Sequence, residues 1–132
     1  MGIEENKESL LRFVEEVWNK GNIELIPEFV SPEYFEAAGI GYNVIGHEGL
    51  TQHVTSLRTA LPDFKMTIDN MICDGDVIAA QLTWVGTFKQ AIGNIEPNNK
   101  FITIKEAVFI KFEDSKQVGL IPYTSPTTPL TQ

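Results

Sequence analysis

The chain has 132 residues and a formal charge of −8, from 18 acidic and 10 basic side chains. With 42% hydrophobic and 21% charged residues, it has a globular composition and enough length for one core that removes roughly two-thirds of the extended chain's surface from water. The acidic balance argues against nucleic acids and anionic membranes as partners, because affinity for phosphate surfaces comes from clustered Lys and Arg.

From Glu8 to Lys20 the apolar residues Leu10, Leu11, Phe13, Val14, Val17 and Trp18 recur at spacings of three and four, which predicts a helix with one buried face. Gly21 ends it. IELIPEFV reads as a short second helix with Asn22 as its N-cap and Pro27 tolerated in the first turn, broken by Ser31-Pro32. A brief strand is expected around Tyr34 to Ala37, followed by a glycine-rich loop, GIGYNVIG. A third helix runs from His47 to Leu61 and is closed by Pro62.

After Pro62 the period changes to two. A strand over Phe64 to Cys73 leads to a hairpin with its positive-φ residues at Asp74-Gly75, and VIAAQLTWVGTF returns with Ile78, Ala80, Leu82 and Trp84 on one face. The polar loop KQAIGNIEPNNK precedes a long strand, FITIKEAVFIKF. EDSK turns into a short last strand around Gln117 to Ile121. Residues 1–122 form one domain, and 123–132, rich in Pro and Thr, form an extended tail. Helices followed by antiparallel strands give an α+β fold in which the helices must cover the sheet's apolar face. If the sheet is strongly curved, helices and sheet enclose an apolar cavity.

Within FITIKEAVFIKF, Glu106 shares a face with Ile104, Val108, Ile110 and Phe112. A carboxylate in an apolar cavity loses hydration, which raises its pKa and makes it useful for proton transfer near neutrality; the alternatives are that Glu106 sits at the open end of the cavity or pairs with a basic neighbour. His53, placed with Leu50, Val54 and Leu57 on the third helix, is the second candidate, against the plainer role of a core histidine bonded to a backbone carbonyl. His47 reads as exposed. The two histidines lie on different sides of the helix and no metal-ligand spacing accompanies them, so neither metal nor cofactor is expected. Ser56, one turn from His53, lacks a third orienting group, and GIGYNVIG fits neither a dinucleotide loop nor a P-loop. Phe13, Trp18, Tyr34, Phe35 and Trp84 are candidates to line a pocket for a flat apolar ligand, with Val17, Leu57, Val108 and Leu120 as aliphatic neighbours; aromatics at such spacings also fill solid cores.

The single Cys73 leaves no intrachain disulfide and reads as an ordinary thiol in a reducing compartment. No apolar run approaches the roughly 20 residues that span a bilayer, and MGIEENKESLL has neither a basic start nor an apolar signal segment. Cytoplasm is the expected location.

The order of three strings, FVEEVWNKGNIELIPEFVSPEY, GHEGLTQHVTSLRTALPDFKMTI and DGDVIAAQLTWVGTF, resembles the SnoaL-like polyketide cyclase branch of the NTF2-like superfamily over residues 7 to 118. The resemblance implies a curved antiparallel sheet wrapped by three helices into a conical pocket, a homodimer formed through the sheet, and cofactor-independent aldol-type chemistry in which an acidic residue acts as base. It also exposes departures. The family commonly reads GKIVEHW and then an acid in the last strand, whereas this chain reads SKQVGLIP, with Leu120, Ile121 and Pro122 at the His, Trp and acidic positions. In the first strand, Glu36-Ala37 occupies the place of an Asp-His pair, which adds Glu36 to the catalytic candidates.

Three readings follow. The chain is a cofactor-independent enzyme acting on a small apolar carbonyl compound through Glu106, His53 and Glu36, or a binding protein that keeps the pocket without the catalytic set, or an interaction dimer whose cavity is filled by its own side chains.

Overall fold

The computed structural model describes residues 2–38 and 41–124. Helix α1 (Ile3–Phe13) carries Glu4 and Glu5 in its first turn and Arg12 in its last, the charge order a helix dipole favours. It begins five residues before the expected Glu8, because its first turn is almost entirely exposed and is held by Glu5 Oε1 accepting from the Gly2 N–H at 3.2 Å. Apolar periodicity carries no signal in such a turn. Without a break, α1 continues as a π-helical segment, Val14–Asn19, in which the Lys20 N–H reaches Glu15 O, five residues back, at 3.1 Å. Gly21, at φ 76°, ends the helix as expected.

A 3₁₀ turn, Ile23–Leu25, opens the short helix α2 (Ile26–Phe29), with Pro27 in its first turn. Asn22 does not cap it; its side chain donates to Glu16 Oε1 at 3.2 Å instead. Ser31-Pro32 is not the breaker, since strand β1 (Val30–Ala38) already includes both residues. Pro32 is accommodated because the pairing of β1 with the last strand is irregular between Val30 and Phe35, a place where a missing N–H breaks no ladder.

Part of the expected glycine-rich loop is strand β2 (Gly41–Val44), paired antiparallel with β1; residues 39 and 40 lie outside the described residues. Helix α3 (Gly46–Ala60) follows, then β3 (Lys65–Asp74), β4 (Val77–Thr87), β5 (Phe101–Glu113) and β6 (Lys116–Thr124). The β3–β4 hairpin turns on Gly75-Asp76, and its positive φ belongs to Gly75 (60°) rather than to Asp74. Asp114 and Ser115, at φ 51° and 63°, make the β5–β6 turn. Strand β6 runs three residues beyond the expected Ile121, so Tyr123 and Thr124 belong to the sheet rather than to a tail; the rest of the expected tail, 125–132, lies outside the described residues.

The strands form one curved, unclosed sheet in the order β2-β1-β6-β5-β4-β3. The β1–β6 pairing is parallel and the others are antiparallel. Parallel neighbours need a long crossover, and everything between β1 and β6 supplies it. Register shifts between Ile68 and Asn70 and between Lys111 and Phe112 mark bulges, which increase local twist and bend. The alternation read from sequence holds on the inner face: Ile78, Ala80, Leu82 and Trp84 of β4 and Ile102, Ile104, Val108, Ile110 and Phe112 of β5 are buried. Each of the larger of these side chains contributes about 1.5–3 kcal/mol relative to exposure. The α1–π helix and α3 cover this face, and Trp18, Phe64 and Trp84 form a row with centroids 5.6 and 5.7 Å apart.

Candidate functional site

Between the helices and the inner face of the sheet lies a cavity of about 590 Å³. A dry, sealed void of that size would cost on the order of 10 kcal/mol, comparable to the whole stability of a domain. The cavity instead opens on the α3 side, where Gln52, His53 and Ser56 belong to its wall and are exposed. The interior is therefore not filled by the protein's own side chains.

Most of the wall is carbon. Leu10, Phe13, Val14 and Trp18 come from the α1–π helix, and Leu82, Trp84 and Ile110 from the central strands. The π segment is fixed at both flanks. The Arg58 guanidinium of α3 donates to the carbonyls of Trp18 and Asn19, each at 2.8 Å, while the Asn19 amide donates to Met66 O at 2.9 Å and its oxygen accepts from the Met66 N–H at 2.7 Å. These bonds hold Trp18 against β3 and α3.

Polar groups enter from three strands and α3. On β1, Tyr34 and Glu36 point to the same side, and the Tyr34 hydroxyl donates to Glu36 Oε2 at 2.9 Å. Burial, followed by the nearby Glu36 and Glu106 carboxylates, pushes the Tyr34 phenol well above its usual pKa, so it stays protonated and serves as a donor. Glu36 Oε1 lies 3.9 Å from Nδ1 of His53. The His53 ring stands edge-on to Trp18, 5.6 Å between centroids. Its side chain is 46% exposed: it stands at the cavity mouth and not within the core, because the helix face that would bury it looks onto a hollow. His47, expected to be exposed, is half-buried and bonded through Nε2 to Val30 O at 2.7 Å.

Glu106 is half-buried on the cavity wall. It also borders a smaller hollow of about 410 Å³ shared with Asp69, Lys105 and Tyr123, and it pairs with Thr124 at the end of β6. It thus stands at a rim, whereas Glu36 and His53 converge on one another. Among the other sequence candidates, Phe13, Trp18, Leu57, Trp84 and Leu120 belong to the wall; Val17, Tyr34, Phe35 and Val108 do not. Val17 and Val108 are buried in the surrounding core, Tyr34 lies behind Glu36, and Phe35 packs over Gly119 on the opposite face of the sheet. Among the described residues no group of three or more His, Cys, Asp or Glu side chains is arranged to hold a metal ion, and no helix is long and apolar enough to cross a membrane.

One wall residue escapes a reading by alternation. Gln117 is 1% exposed, and it shares the cavity with Leu120 although the two differ in strand parity. The bulge in β6 is the cause: Leu120 pairs with Ile110 and Gln117 with Phe112, leaving Val118 as the extra residue. Pro122 also reaches the wall, so Leu120 and Pro122, which replace the His and the acid implied by the family resemblance, both face the interior, while Ile121 is exposed.

The profile of the SnoaL-like polyketide cyclase family matches residues 8–120. A candidate polyketide cyclase from Acidithiobacillus ferrooxidans is 27% identical, with 98% of this chain and 94% of that one covered and a TM-score of 0.81. AclR, a candidate hydroxylase from Streptomyces galilaeus, is 18% identical over 98% of this chain and 94% of its own, with a TM-score of 0.82. A SnoaL-like polyketide cyclase from Agrobacterium tumefaciens is 18% identical over 92% of each chain, with a TM-score of 0.80. At that identity the last two speak to the fold alone. No curated protein matches in sequence. The helices laid over a curved, unclosed sheet are an α+β, NTF2-like fold, and with the family profile running almost from end to end, this chain belongs to the SnoaL-like polyketide cyclase family.

Proposed function

We propose that the cavity binds a small apolar carbonyl compound and catalyses proton transfer next to its carbonyl, as the first step of a cofactor-independent cyclisation or isomerisation. The observation that carries this reading is the Tyr34–Glu36–His53 arrangement opening into an apolar hollow. Glu36 Oε1 takes a proton from the carbon beside the carbonyl. The C–H electron pair moves into an enolate, and His53, reaching solvent, returns or removes the proton. Glu106 at the rim assists, placing a second acceptor along the same wall. A cavity of this size is within the range that holds small ligands, and the family's description as polyketide cyclases agrees with a carbonyl substrate.

Deuterium wash-in at the α-carbon of 1-indanone, followed by NMR in D₂O, tests it. Wild type should accelerate exchange, and Glu36→Gln should remove about 100-fold or more of that acceleration. Binding without accelerated exchange would favour the second reading, a ligand-binding protein without chemistry. That reading rests on Leu120 and Pro122, whose side chains put carbon where a proton-exchanging pair is implied.

The expected homodimer through the sheet remains part of the proposal. On the outer face Ile72, Ala79, Phe109 and Ile121 pair in one row across β3 to β6, and Ile72, Phe109, Ile121 and Tyr123 are exposed. Such a row is the kind of surface a second copy covers. Sedimentation should show a dimer that Phe109→Glu dissociates; an unchanged monomer would discard it.

A further inference from the structure

Gln117 has a buried donor with nothing to donate to: its side-chain Nε2 finds no hydrogen-bond partner among the described residues, yet the residue belongs to the cavity wall. A buried amide left unpaired costs about 1–3 kcal/mol, and buried polar groups are satisfied in the great majority of native structures. The fold goes out of its way to produce this one. The bulge at Val118 turns Gln117 inward beside Leu120, in a strand whose other inward residues, Leu120 and Pro122, have carbon side chains.

We infer that Gln117 is a specificity-determining residue that donates a hydrogen bond to a carbonyl oxygen, or a chemically equivalent acceptor, at the inner end of the bound molecule. This rests on the cavity being a ligand site and goes further by fixing which end of the ligand carries oxygen. Gln117 pairs with Phe112 and Leu120 with Ile110 on β5, and Leu120 lies opposite Glu36 on β1, so two regular strand positions, about 7 Å at 3.4 Å per residue, separate the amide's strand position from that of Glu36. A ligand that satisfies both is elongated: one acceptor docks against Gln117, and a second functional group, about two fused rings away, lies beside Glu36. A compound with a single polar end leaves one of the two unmet.

The probes are fluorenone and fluorene, which share a flat carbon frame and differ in a single carbonyl oxygen. Both tryptophans of the chain, Trp18 and Trp84, line the cavity, so quenching of intrinsic fluorescence reports occupancy. Wild type should bind fluorenone about 3- to 10-fold more tightly than fluorene, the size of one net hydrogen bond. Gln117→Leu should abolish that preference while binding fluorene at least as well, and should melt no lower than wild type, because it removes an unpaired donor. Gln117→Met, close in shape and without a donor, provides the same comparison should the branched side chain pack badly. Equal preference in wild type and both variants overturns the role of Gln117 but leaves the cavity a ligand site. Binding of neither compound to wild type overturns both.

Discussion

The hydroxyl of Tyr34 donates to the carboxylate of Glu36 at 2.9 Å, two residues along the same strand, and so ties a fully buried phenol to a cavity acid. Tyr34→Phe should cost about 1 kcal/mol of stability and free Glu36 to rotate. If deuterium exchange is observed, the variant should lower it with little change in ligand affinity. An equal loss of both would point to general damage to the fold.

The same pair has a pH signature. Burial and the neighbouring Glu36 and Glu106 carboxylates raise the folded-state pKa of Tyr34 above that of a free phenol, so the phenol holds its proton more tightly folded than unfolded. Its contribution is complete below the unfolded pKa and is lost as pH rises through the folded one. Melting temperatures of wild type should fall more steeply than those of Tyr34→Phe above about pH 10; parallel curves would show that Tyr34 ionises freely.

Asp63 gives the opposite slope. Its carboxylate accepts from the Thr87 N–H at 2.6 Å and from the Thr87 hydroxyl at 2.8 Å, and these bonds hold its pKa below the usual value. A depressed folded pKa contributes stability above the unfolded pKa, and that contribution disappears as pH falls through the folded one. Asp63→Ala should therefore lower the melting temperature at pH 7, with the difference from wild type shrinking below about pH 4. A gap that stays constant into acid would assign the loss to something other than the carboxylate.

Gly119 has no room for a methyl group. A Cβ there would lie 2.2 Å from ring atoms of Phe35. Gly119→Ala should destabilise by about 1–3 kcal/mol, the usual range for an overpacked site, and Phe35→Leu in the same chain should recover part of that loss. An additive double variant would show that the two residues do not meet.

Arg58 joins α3 to the carbonyls of Trp18 and Asn19. Arg58→Leu should cost about 2 kcal/mol and loosen the Trp18 side of the cavity. In a Trp84→Phe background, Trp18 fluorescence should shift to the red. An unshifted spectrum would mean that the Asn19–Met66 bonds alone hold the segment.

Much of this architecture could be read from alternation and helical spacing. The inner faces of β4 and β5 follow the period of two throughout, which placed Glu106 among Ile104, Val108 and Ile110. What failed to show was anything that depends on a break in period. The bulge at Val118 put Gln117 on a face that parity denies it, and β2, only four residues long, was hidden in a glycine-rich string although it pairs with the neighbouring β1. His53 has the spacing of a core residue, yet it opens to solvent because the space opposite is empty. A hollow leaves no trace in a hydrophobic pattern, so the partnership of Glu36 with His53 needed coordinates.

The π segment bears on how this helix can change length. One turn of wider winding between Val14 and Asn19 accommodates one residue more than a regular helix would. Deleting a residue there would yield a more regular coil and leave everything upstream close to its present register, whereas the same deletion in a regular α-helix swings the upstream part by about 100°. Leu10 and Phe13 would then keep facing the chamber, and the change would be confined to the turn that carries Val14 and Trp18. A loss of one residue at this point is therefore absorbed locally, and chains that differ here by one residue should keep the same upstream wall while differing around Trp18.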